Sequence, residues 1–299
     1  MSVNEPTRRL LAEAFPDDPK FSRDAFLDWE YDSPSGQVIE RNRDDEVGRL
    51  GHYAVLPQRW QRDGVVEPWA LSLNTAVSER ARGKGLFTML ADETYELARA
   101  ERGVRTIVGV ANANSTPGFI GRLRFSLVGP LDVAVLPWRP SVAVRAIDRI
   151  SVEELLVDPL VQSPGHRPGA LTRVWDAAEL SWRLASPGAS YSVFRAPAAL
   201  AITCVSRFAK VPVAVLLKVI VAGDDVVDLG PIVAAACTHH RAPVALHAGH
   251  NPGLRFRGMP LPDRFRPSPL NLIVRSLDPD RPSEGVIPST FEFLEFDAY

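Results

Sequence analysis

The chain has few cysteines and no long apolar run, and each absence excludes a class of protein. Its 299 residues include two cysteines, Cys204 and Cys237, which are too few for a disulfide scaffold and favour a reducing compartment. No stretch of about 18 residues is free of charge, proline and glycine, as a membrane-spanning helix requires. The first residues also lack the apolar core of a signal peptide. We therefore expect a cytoplasmic protein with no membrane partner.

The chain also has no surplus of either charge. Its 34 basic and 36 acidic residues give a net charge of −2, which argues against a nucleic acid as partner. Hydrophobic residues make up 45% and charged residues 23%, the balance of a globular protein, and the length is typical of two domains. Only four of the basic residues are lysines, and one of them, Lys84, lies in the motif described below.

The first half has the pattern of helices, then an antiparallel meander, then a crossover. Apolar spacing and turn residues predict helices over 6–14 and 22–31, with Ser22 as the N-cap of the second, strands over 37–42, 47–57 and 65–77, a helix over 85–102 and a strand over 104–110. A strand, a helix and a strand within about 40 residues indicate a parallel pair.

The second half repeats this pattern. Trp29 and Pro34 match Trp182 and Pro187 at a common offset of 153 residues. Similar elements follow, with strands predicted over 190–195, 198–206, 211–221, 225–229 and 243–248 and a helix over 231–240. We interpret the repeat as an ancient duplication, the alternative being two unrelated halves with a chance match. The proline-rich stretch over 137–169 suggests the boundary, and we divide the chain into domains 1–150 and 151–299.

One segment has the pattern of an anion-binding site, because a glycine loop joins the end of a strand to the start of a helix. Arg80-Ala81-Arg82-Gly83-Lys84-Gly85-Leu86 follows the strand that ends at Val77. Glycines let backbone amides approach an anion closely, and a helix N-terminus adds a favourable dipole. A Gly-x-Gly pair by itself is weak evidence, since an ordinary strand-to-helix turn can have it too.

In its context the loop resembles the (Gln/Arg)-x-x-Gly-x-(Gly/Ala) pyrophosphate loop of the GNAT superfamily of acyl-CoA-dependent N-acyltransferases. Val110-Ala111-Asn112-Ala113-Asn114-Ser115 and the following Arg122-Leu123-Arg124-Phe125 are similar to the fifth strand and the turn after it in that family. The likeness spans about residues 36–135. The chain is also similar to a bacterial subgroup of about 300 residues with a second, degenerate GNAT-like half, and its end, Phe291 to Asp297, resembles the closing strand of that subgroup.

The resemblance implies an α/β fold of two GNAT-like halves, each a mixed, mostly antiparallel sheet flanked by helices. It implies that acyl-CoA, most simply acetyl-CoA, lies between the fourth and fifth strands and that a substrate amine attacks the thioester. The residues implied to bind the cofactor are Val77, Arg80, Arg82, Gly83, Lys84, Gly85, Leu86 and Asn114.

The sequence departs from the family at the residues that handle protons. Ile120 stands where the family commonly has a tyrosine that protonates the leaving thiolate, and Arg124 replaces a glycine. The frequent strand-four glutamate would fall near Leu71, and the nearest carboxylate is Glu67. Ser115 and Glu67 are our candidate catalytic residues, and their alternative readings are a turn-capping serine and a solvated acid at a strand edge.

The second half lacks the anion loop, so we expect it to bind no CoA and to form a wall of the acceptor pocket. Its histidines and thiol are spaced irregularly, so we expect no metal site among Cys237, His239, His240, His247 and His250. A basic group could bind an anionic acceptor, although a solvated, acid-paired face is the simpler reading: Arg255, Arg257, Arg264 and Arg266.

The resemblance thus implies an N-acyltransferase acting on a small amine, such as an amino sugar or a natural-product intermediate. Two alternatives remain open: a non-catalytic acyl-CoA-binding or scaffold protein, and an aminoacyl-tRNA-dependent transferase of the tandem-GNAT type. The sequence gives no basis for an oligomeric state.

Overall fold

The structure is a computed structural model that describes residues 3–16, 18–163, 167–208, 210–262, 265 and 268–296. Its α-helices are α1 Glu5–Ala14, α2 Asp24–Glu30, α3 Leu86–Arg102, α4 Thr116–Gly121, α5 Val152–Leu156, α6 Pro159–Gln162, α7 Ala177–Leu184 and α8 Gly230–His240. Its strands are β1 Asp32–Ser33, β2 Gly36–Gln37, β3 Ile39–Asp45, β4 Gly48–Arg62, β5 Val65–Val77, β6 Thr106–Ala111, β7 Ser126–Pro130, β8 Val133–Pro137, β9 Asp148–Ile150, β10 Thr172–Arg173, β11 Ser192–Ala196, β12 Ala199–Phe208, β13 Val211–Val221, β14 Val227–Asp228, β15 Val244–His250, β16 Leu254–Arg255, β17 Met259–Pro260, β18 Asn271–Ser276 and β19 Phe291–Glu292.

Most strands belong to two large sheets. The first sheet has the order β10-β4-β5-β6-β18-β7, with β3 also paired to β4, and the second has the order β17-β8-β15-β13-β12-β11-β9, with β19 paired to β15. Each contains one parallel pair, β5 with β6 and β13 with β15, and its other pairs are antiparallel. The fold class is therefore confirmed as two mixed, mostly antiparallel sheets flanked by helices.

The two sheets exchange strands. Besides the short β9, which pairs with β11, and the short β10, which pairs with β4, each sheet gains one longer strand from the other half. Strand β8 leaves the first half to pair with β15 and β17 in the second sheet. Strand β18 leaves the second half to pair with β6 and β7 in the first sheet. The domain division at residue 150 stays a prediction about folding units, but neither sheet is confined to one side of it. In the strand orders of the two sheets β8 and β18 occupy corresponding places, each beside the second strand of the parallel pair.

Three hydrophobic cores hold the layers together. The largest lies between the sheets and contains Trp60 and Trp69, whose stacked rings have centroids 4.6 Å apart and are fully buried. The second lies between the first sheet and α3, and the third between the second sheet and α8. Fully burying side chains of this size supplies several kcal/mol each at roughly 25 cal/mol per Å².

Most predicted elements agree with the structure, and three predictions differ. The closing strand expected over Phe291 to Asp297 is confined to Phe291–Glu292 and is followed by a 3₁₀ turn over Phe293–Glu295, and Asp297 lies outside the described residues. Strand 65–77 and helix 85–102 are confirmed within one residue. The strand predicted to end at 57 continues to Arg62, because Trp60 is buried and its segment pairs with the beginning of β5. The N-cap of α2 is Arg23, whose backbone is extended, so the prediction of Ser22 was wrong.

Candidate functional site

An open cleft separates the ends of the two central strands of the first sheet. Strands β5 and β6 pair only where Trp69–Leu71 faces Thr106–Val108, and beyond that point they diverge. The resulting cleft has a volume of about 390 Å³, enough for an extended organic chain. Residues from β5, the α3 entry, the α4 segment and the end of α1 line it: Ala14, Phe15, Thr75, Ala76, Val77, Arg82, Phe87, Asn114, Ser115, Gly118, Phe119 and Arg122.

One wall of the cleft is the turn that follows β6. The side-chain oxygen of Asn112 accepts hydrogen bonds from the amides of Asn114 and Ser115, at 3.0 and 2.9 Å. The Ser115 hydroxyl oxygen accepts from the Asn112 amide at 3.1 Å. Ser268, from the second half, accepts from the Ala113 amide at 2.9 Å. The second half therefore helps to build the wall of a cleft whose other residues come from the first.

The glycine loop lies at the mouth of this cleft, immediately before α3. Gly83 and Gly85 have φ of +77° and +76°, a left-handed conformation that favours glycine. Within the described ranges, the amides of Gly83, Lys84 and Gly85 donate to no backbone carbonyl. A Cβ on either glycine would meet nothing within 4 Å. The loop thus presents free amides and open space at a helix N-terminus, which is the arrangement that binds phosphate groups.

The basic residues of the loop have different surroundings. Arg80 pairs with Asp45 and donates to the Gly48 carbonyl at 3.0 Å, so it ties the loop to the β3–β4 turn. Its hydrogen bond holds the pKa of Asp45 below the ordinary value. Arg82 lines the cleft and pairs with Glu79 at 3.2 Å, while the Lys84 side chain is exposed. Arg82 and Lys84 are therefore the loop cations that a bound anion can reach.

The other residues predicted to bind the cofactor are Val77, Leu86 and Asn114. Val77 ends β5 and lines the cleft. Leu86 is the first residue of α3 and is buried against β4, where Gly51 allows the helix to approach closely, since a Cβ on Gly51 would lie 2.9 Å from Leu86. Asn114 lines the cleft from the opposite wall.

Glu67, one of the two candidate catalytic residues, does not lie at the cleft. It precedes Val77 by ten residues on the same strand, or about 33 Å of extended chain. Its carboxylate accepts from Arg281 at 2.8 Å and from the Trp69 indole at 3.3 Å. Burial raises the pKa of Glu67, but these hydrogen bonds more than offset that effect and the pKa is lowered. Glu67 was chosen as the carboxylate nearest in sequence, and the structure places it outside the residues that line the cleft, while its catalytic role stays a prediction.

A bulge in β5 carries a polar residue that the sequence reasoning missed. Opposite Tyr53, strand β5 contains two residues, Asn74 and Thr75. Asn74 has a φ of +48° and is buried, and its neighbour Thr75 lines the cleft. The signal was available: asparagine is uncommon in strands, and this one lies inside the strand predicted over 65–77.

Buried polar side chains surround Asn74. Its amide nitrogen donates to Glu30 at 2.5 Å and to the Tyr31 hydroxyl at 3.4 Å. The Tyr31 hydroxyl lies 2.8 Å from Nε2 of His52, whose Nδ1 lies 2.7 Å from the side-chain oxygen of Asn42. Burial, aided by the nearby Arg49 charge, lowers the pKa of His52 to about 3. His52 is therefore neutral, and it donates from Nδ1 and accepts the Tyr31 proton at Nε2.

No family model matches the chain. No curated protein matches it either. Solved structures do. They include a probable N-acyltransferase from Enterococcus faecalis (12% identity, TM-score 0.61, covering 91% of this chain and 70% of that one). A second is N-myristoyltransferase from Saccharomyces cerevisiae with bound myristoyl-CoA (12%, 0.59, 92% and 81%). A third is Eis1 from Mycobacterium abscessus (14%, 0.56, 92% and 71%).

The chain has the GNAT fold. These likenesses extend over nine-tenths of the chain and therefore over both halves. At such low identity they establish the fold and not the chemistry. The expectation of a two-part GNAT structure is confirmed.

The second GNAT-like half has the corresponding opening, but the chain itself fills it. Strands β13 and β15 pair only where Ala214–Leu216 faces Ala245–His247, and β19 then pairs along β15. The contact is close, since a Cβ on Gly249 would lie 1.8 Å from the carbonyl oxygen of Phe291. The Glu292 carboxylate accepts from the Val219 amide at 3.3 Å.

A buried ion cluster holds β19 and the residues after it in this opening. Lys218 lies 2.9 Å from Glu292 and also pairs with Glu295, and all three side chains are buried. Burial lowers the pKa of Lys218, but the two carboxylates more than offset that effect and the pKa is raised. The helix start that would face a pyrophosphate is also capped internally, since Asp228 accepts from the Gly230 amide at 2.9 Å.

The histidines of the second half have ordinary partners. His239 lies 2.9 Å from the Ser192 hydroxyl, and His240 lies 2.9 Å from the Thr203 hydroxyl. Burial raises the pKa of the Cys237 thiol to about 11. Across the described ranges, no three histidine, cysteine or acidic side chains form a group that could hold a metal ion. The absence of a metal site stays a prediction.

The basic group splits between described and undescribed residues. Arg255 and Arg257 are exposed and, with Arg139, line a groove of about 490 Å³ at the start of α8, while Arg264 and Arg266 lie outside the described residues. Anion binding there stays a prediction. Among the helices of the described ranges, none is long and apolar enough to cross a membrane.

Proposed function

We propose that the protein is an N-acyltransferase that binds acyl-CoA in the cleft of its first half. It transfers the acyl group, acetyl in the simplest case, to the amine of a small molecule such as an amino sugar or a natural-product intermediate. The observation that carries this proposal is the loop at the mouth of the cleft. Its free amides at Gly83, Lys84 and Gly85 suit a pyrophosphate, and the diverging strands leave room for the chain attached to it.

The chemistry asks three things of the protein. It must hold the thioester and the amine in contact, accept the proton of the amine, and let the thiolate leave. The loop amides, together with Arg82 and Lys84, bind the acyl-CoA in this proposal. Ile120, on α4, has no proton to give, so thiolate departure depends on another hydroxyl or on water.

Calorimetry with acetyl-CoA tests the site. Gly83→Val places a side chain where the pyrophosphate approaches, and we expect affinity to fall by about 10-fold or more, the loss of one or two charge-assisted hydrogen bonds. Gly64→Val is the matched control, because Gly64 has the same φ of +77° and equally open surroundings but lies in the β4–β5 turn. Unchanged affinity in folded Gly83→Val protein would contradict the proposal, as would an equal loss in the control.

Turnover separates the enzyme from a non-catalytic binder. We expect release of free CoA thiol when acetyl-CoA is mixed with a panel of primary amines. Binding without release across the panel favours the scaffold alternative. The small-molecule acceptor and the cytoplasmic location remain predictions.

A further inference from the structure

A second, smaller pocket lies where the two sheets meet, and we call it the junction pocket. Gln61 and Thr172 line it from the first sheet, and Lys218 and Ile220 line it from the second. It shares no lining residue with the cleft of the first half. Its volume is about 130 Å³. Engineered cavities of similar size bind benzene, so the junction pocket suits a molecule of that size and is far too small for CoA.

The junction pocket corresponds in position to the acyl-CoA cleft of the first half. That cleft is lined by the end of β5, the turn after β6 and Ala14 at the end of α1. The junction pocket is lined by Val221 at the end of β13, by Asn251 in the turn after β15, and by Arg167. Arg167 matches Ala14 at the same 153-residue offset as the two tryptophans. Thr290, which directly precedes β19, also lines it, so the pocket is the part of the opening that β19 leaves unfilled.

The charged lining of the junction pocket is basic. Arg167, Arg173 and Lys218 line it, and among the described residues no acidic one does. The carboxylates that pair with the two buried cations lie outside this lining. Glu179 accepts from Arg173 at 3.0 Å, and Glu292 lies 2.9 Å from Lys218. A molecule in the pocket therefore meets the cations and not their partners.

Arg173 and Lys218 have hydrogen-bond donors to spare. Each residue is 5% exposed, and a guanidinium has five N–H groups and an ammonium three. Within the described ranges the Arg173 side chain makes two hydrogen bonds, to Glu179 and to the Glu295 carbonyl, and Lys218 pairs with two carboxylates. The Arg173 guanidinium is also stacked on Trp175, 4.0 Å from the ring centroid. Cations that are already held in place lose little conformational entropy when a ligand binds.

The other side of the junction pocket is apolar. Ala170, Trp175 and Ile220 line it. Ile220 lies on the same face of β13 as Lys218, because residues two apart in a strand share a face. Basic groups beside an apolar wall suit an anion that carries a short hydrocarbon group.

We propose that the junction pocket binds a small organic carboxylate. The carboxylate group accepts charge-assisted hydrogen bonds from Arg173 and Lys218, with Arg167 at the rim, and the hydrocarbon part lies against Trp175 and Ile220. The ligand contacts strands of both sheets, so its binding stabilises their junction. The second half then has a ligand site of its own.

Three small molecules test the class of ligand by calorimetry. Benzoate has the proposed chemistry, benzylamine has a similar shape and the opposite charge, and inorganic phosphate is an anion without a hydrocarbon part. We expect saturable binding of benzoate with a Kd of about 1 mM or lower, binding of phosphate at least about 10-fold weaker, and no binding of benzylamine. Benzoate affinity should be the same with saturating acetyl-CoA and in Gly83→Val, because the cleft is a separate site.

Ala170→Phe tests the position of the site, because a larger side chain there fills the junction pocket and leaves its ion pairs intact. Ala189→Phe is the matched control. Both alanines directly follow a Pro-Gly turn and are half-buried, but Ala189 does not line the pocket. We expect Ala170→Phe to weaken benzoate binding by about 10-fold or more and the control to change it by less than about 2-fold.

Arg167→Gln tests the cation at the rim, which pairs with Asp224 at 3.3 Å. We expect a loss of about 3-fold in benzoate affinity, as for a partly exposed charge. Arg99→Gln is its control, since Arg99 is also in a surface ion pair, with Glu96 at 3.0 Å, and should leave the affinity unchanged.

Four results would overturn the inference. They are no saturable binding of benzoate, equal binding of benzoate and benzylamine, equal binding of benzoate and phosphate, and equal benzoate affinity in the two phenylalanine variants. The first shows that there is no site. The second and third show that charge or the apolar wall has no part in binding, and the fourth shows that binding occurs elsewhere. None of them bears on acyl-CoA binding in the first half, so the proposed function is tested separately.

Discussion

Trp29 and Trp182 hold each other by two equivalent hydrogen bonds. The indole N–H of Trp29 donates to the Trp182 carbonyl at 2.8 Å, and that of Trp182 donates to the Trp29 carbonyl at 3.0 Å. Their rings are stacked, with centroids 5.0 Å apart. Two residues that make the same contact with each other in both directions are related by two-fold symmetry. It supports the interpretation of the 153-residue offset as a duplication.

The symmetry predicts equal effects of two substitutions. Trp29→Phe and Trp182→Phe each remove one donor and keep an aromatic ring, so each should lower the free energy of unfolding by about 0.5–1.5 kcal/mol. The double variant should deviate from additivity, because the rings touch. Urea unfolding measures all three. A large cost for one substitution and none for the other would contradict an equivalent contact.

The strand exchange predicts that the halves do not fold separately. A fragment of residues 1–150 lacks β18, which lies between β6 and β7, and a fragment of 151–299 lacks β8, which lies between β15 and β17. Each would expose unpaired strand edges. We expect neither fragment alone to give a cooperative thermal transition by circular dichroism, and the two expressed together to give one. Cooperative melting of either fragment alone would show that the division at 150 does separate folding units.

Ser115 remains the candidate for protonating the thiolate. It lines the cleft, and its hydroxyl donates only at 3.4 Å, to the Asn112 carbonyl, so its proton can be redirected. Ser115→Ala should lower turnover by up to about 10²-fold, the loss typical of a missing general acid, with little change in acetyl-CoA affinity. Thr116→Val is the control, since Thr116 donates to the same carbonyl at 2.7 Å but is not among the cleft residues. Equal turnover in Ser115→Ala and wild type would exclude the role.

The lowered pKa of His52 predicts that the protein loses stability in acid. Its pKa is about 3 in the folded protein against an ordinary value of 6.5, so below pH 6.5 the unfolded chain binds a proton that the folded protein does not. The free energy of unfolding therefore falls as the pH falls, by about 1.4 kcal/mol per pH unit between pH 6.5 and 3, and is unaffected above that range. Urea unfolding at several pH values should show a shallower slope for His52→Gln than for wild type. Identical slopes would show that His52 is not the group responsible.

Local patterns in the sequence were enough to predict the strand, loop and helix over 65–102. Alternation, two glycines and helical spacing act within a few residues of one another, so neighbouring side chains determine them. The exchange of β8 and β18 could not be predicted, because either strand has an apolar pattern that fits either sheet. The same limit applies to the buried contact between Glu30 and Asn74, since the two residues lie 44 positions apart in sequence and beside each other in space.

The exchanged strands also determine when the protein can finish folding during synthesis. The first sheet is complete only after residues 271–276 have left the ribosome, and the wall of its cleft also needs Ser268. Until then the nascent chain carries a nearly full-length first half with open edges on β6 and β7. Such edges are the surfaces that chaperones shield from aggregation. The proposed acyl-CoA site must therefore be completed late in translation, although its glycine loop is made early.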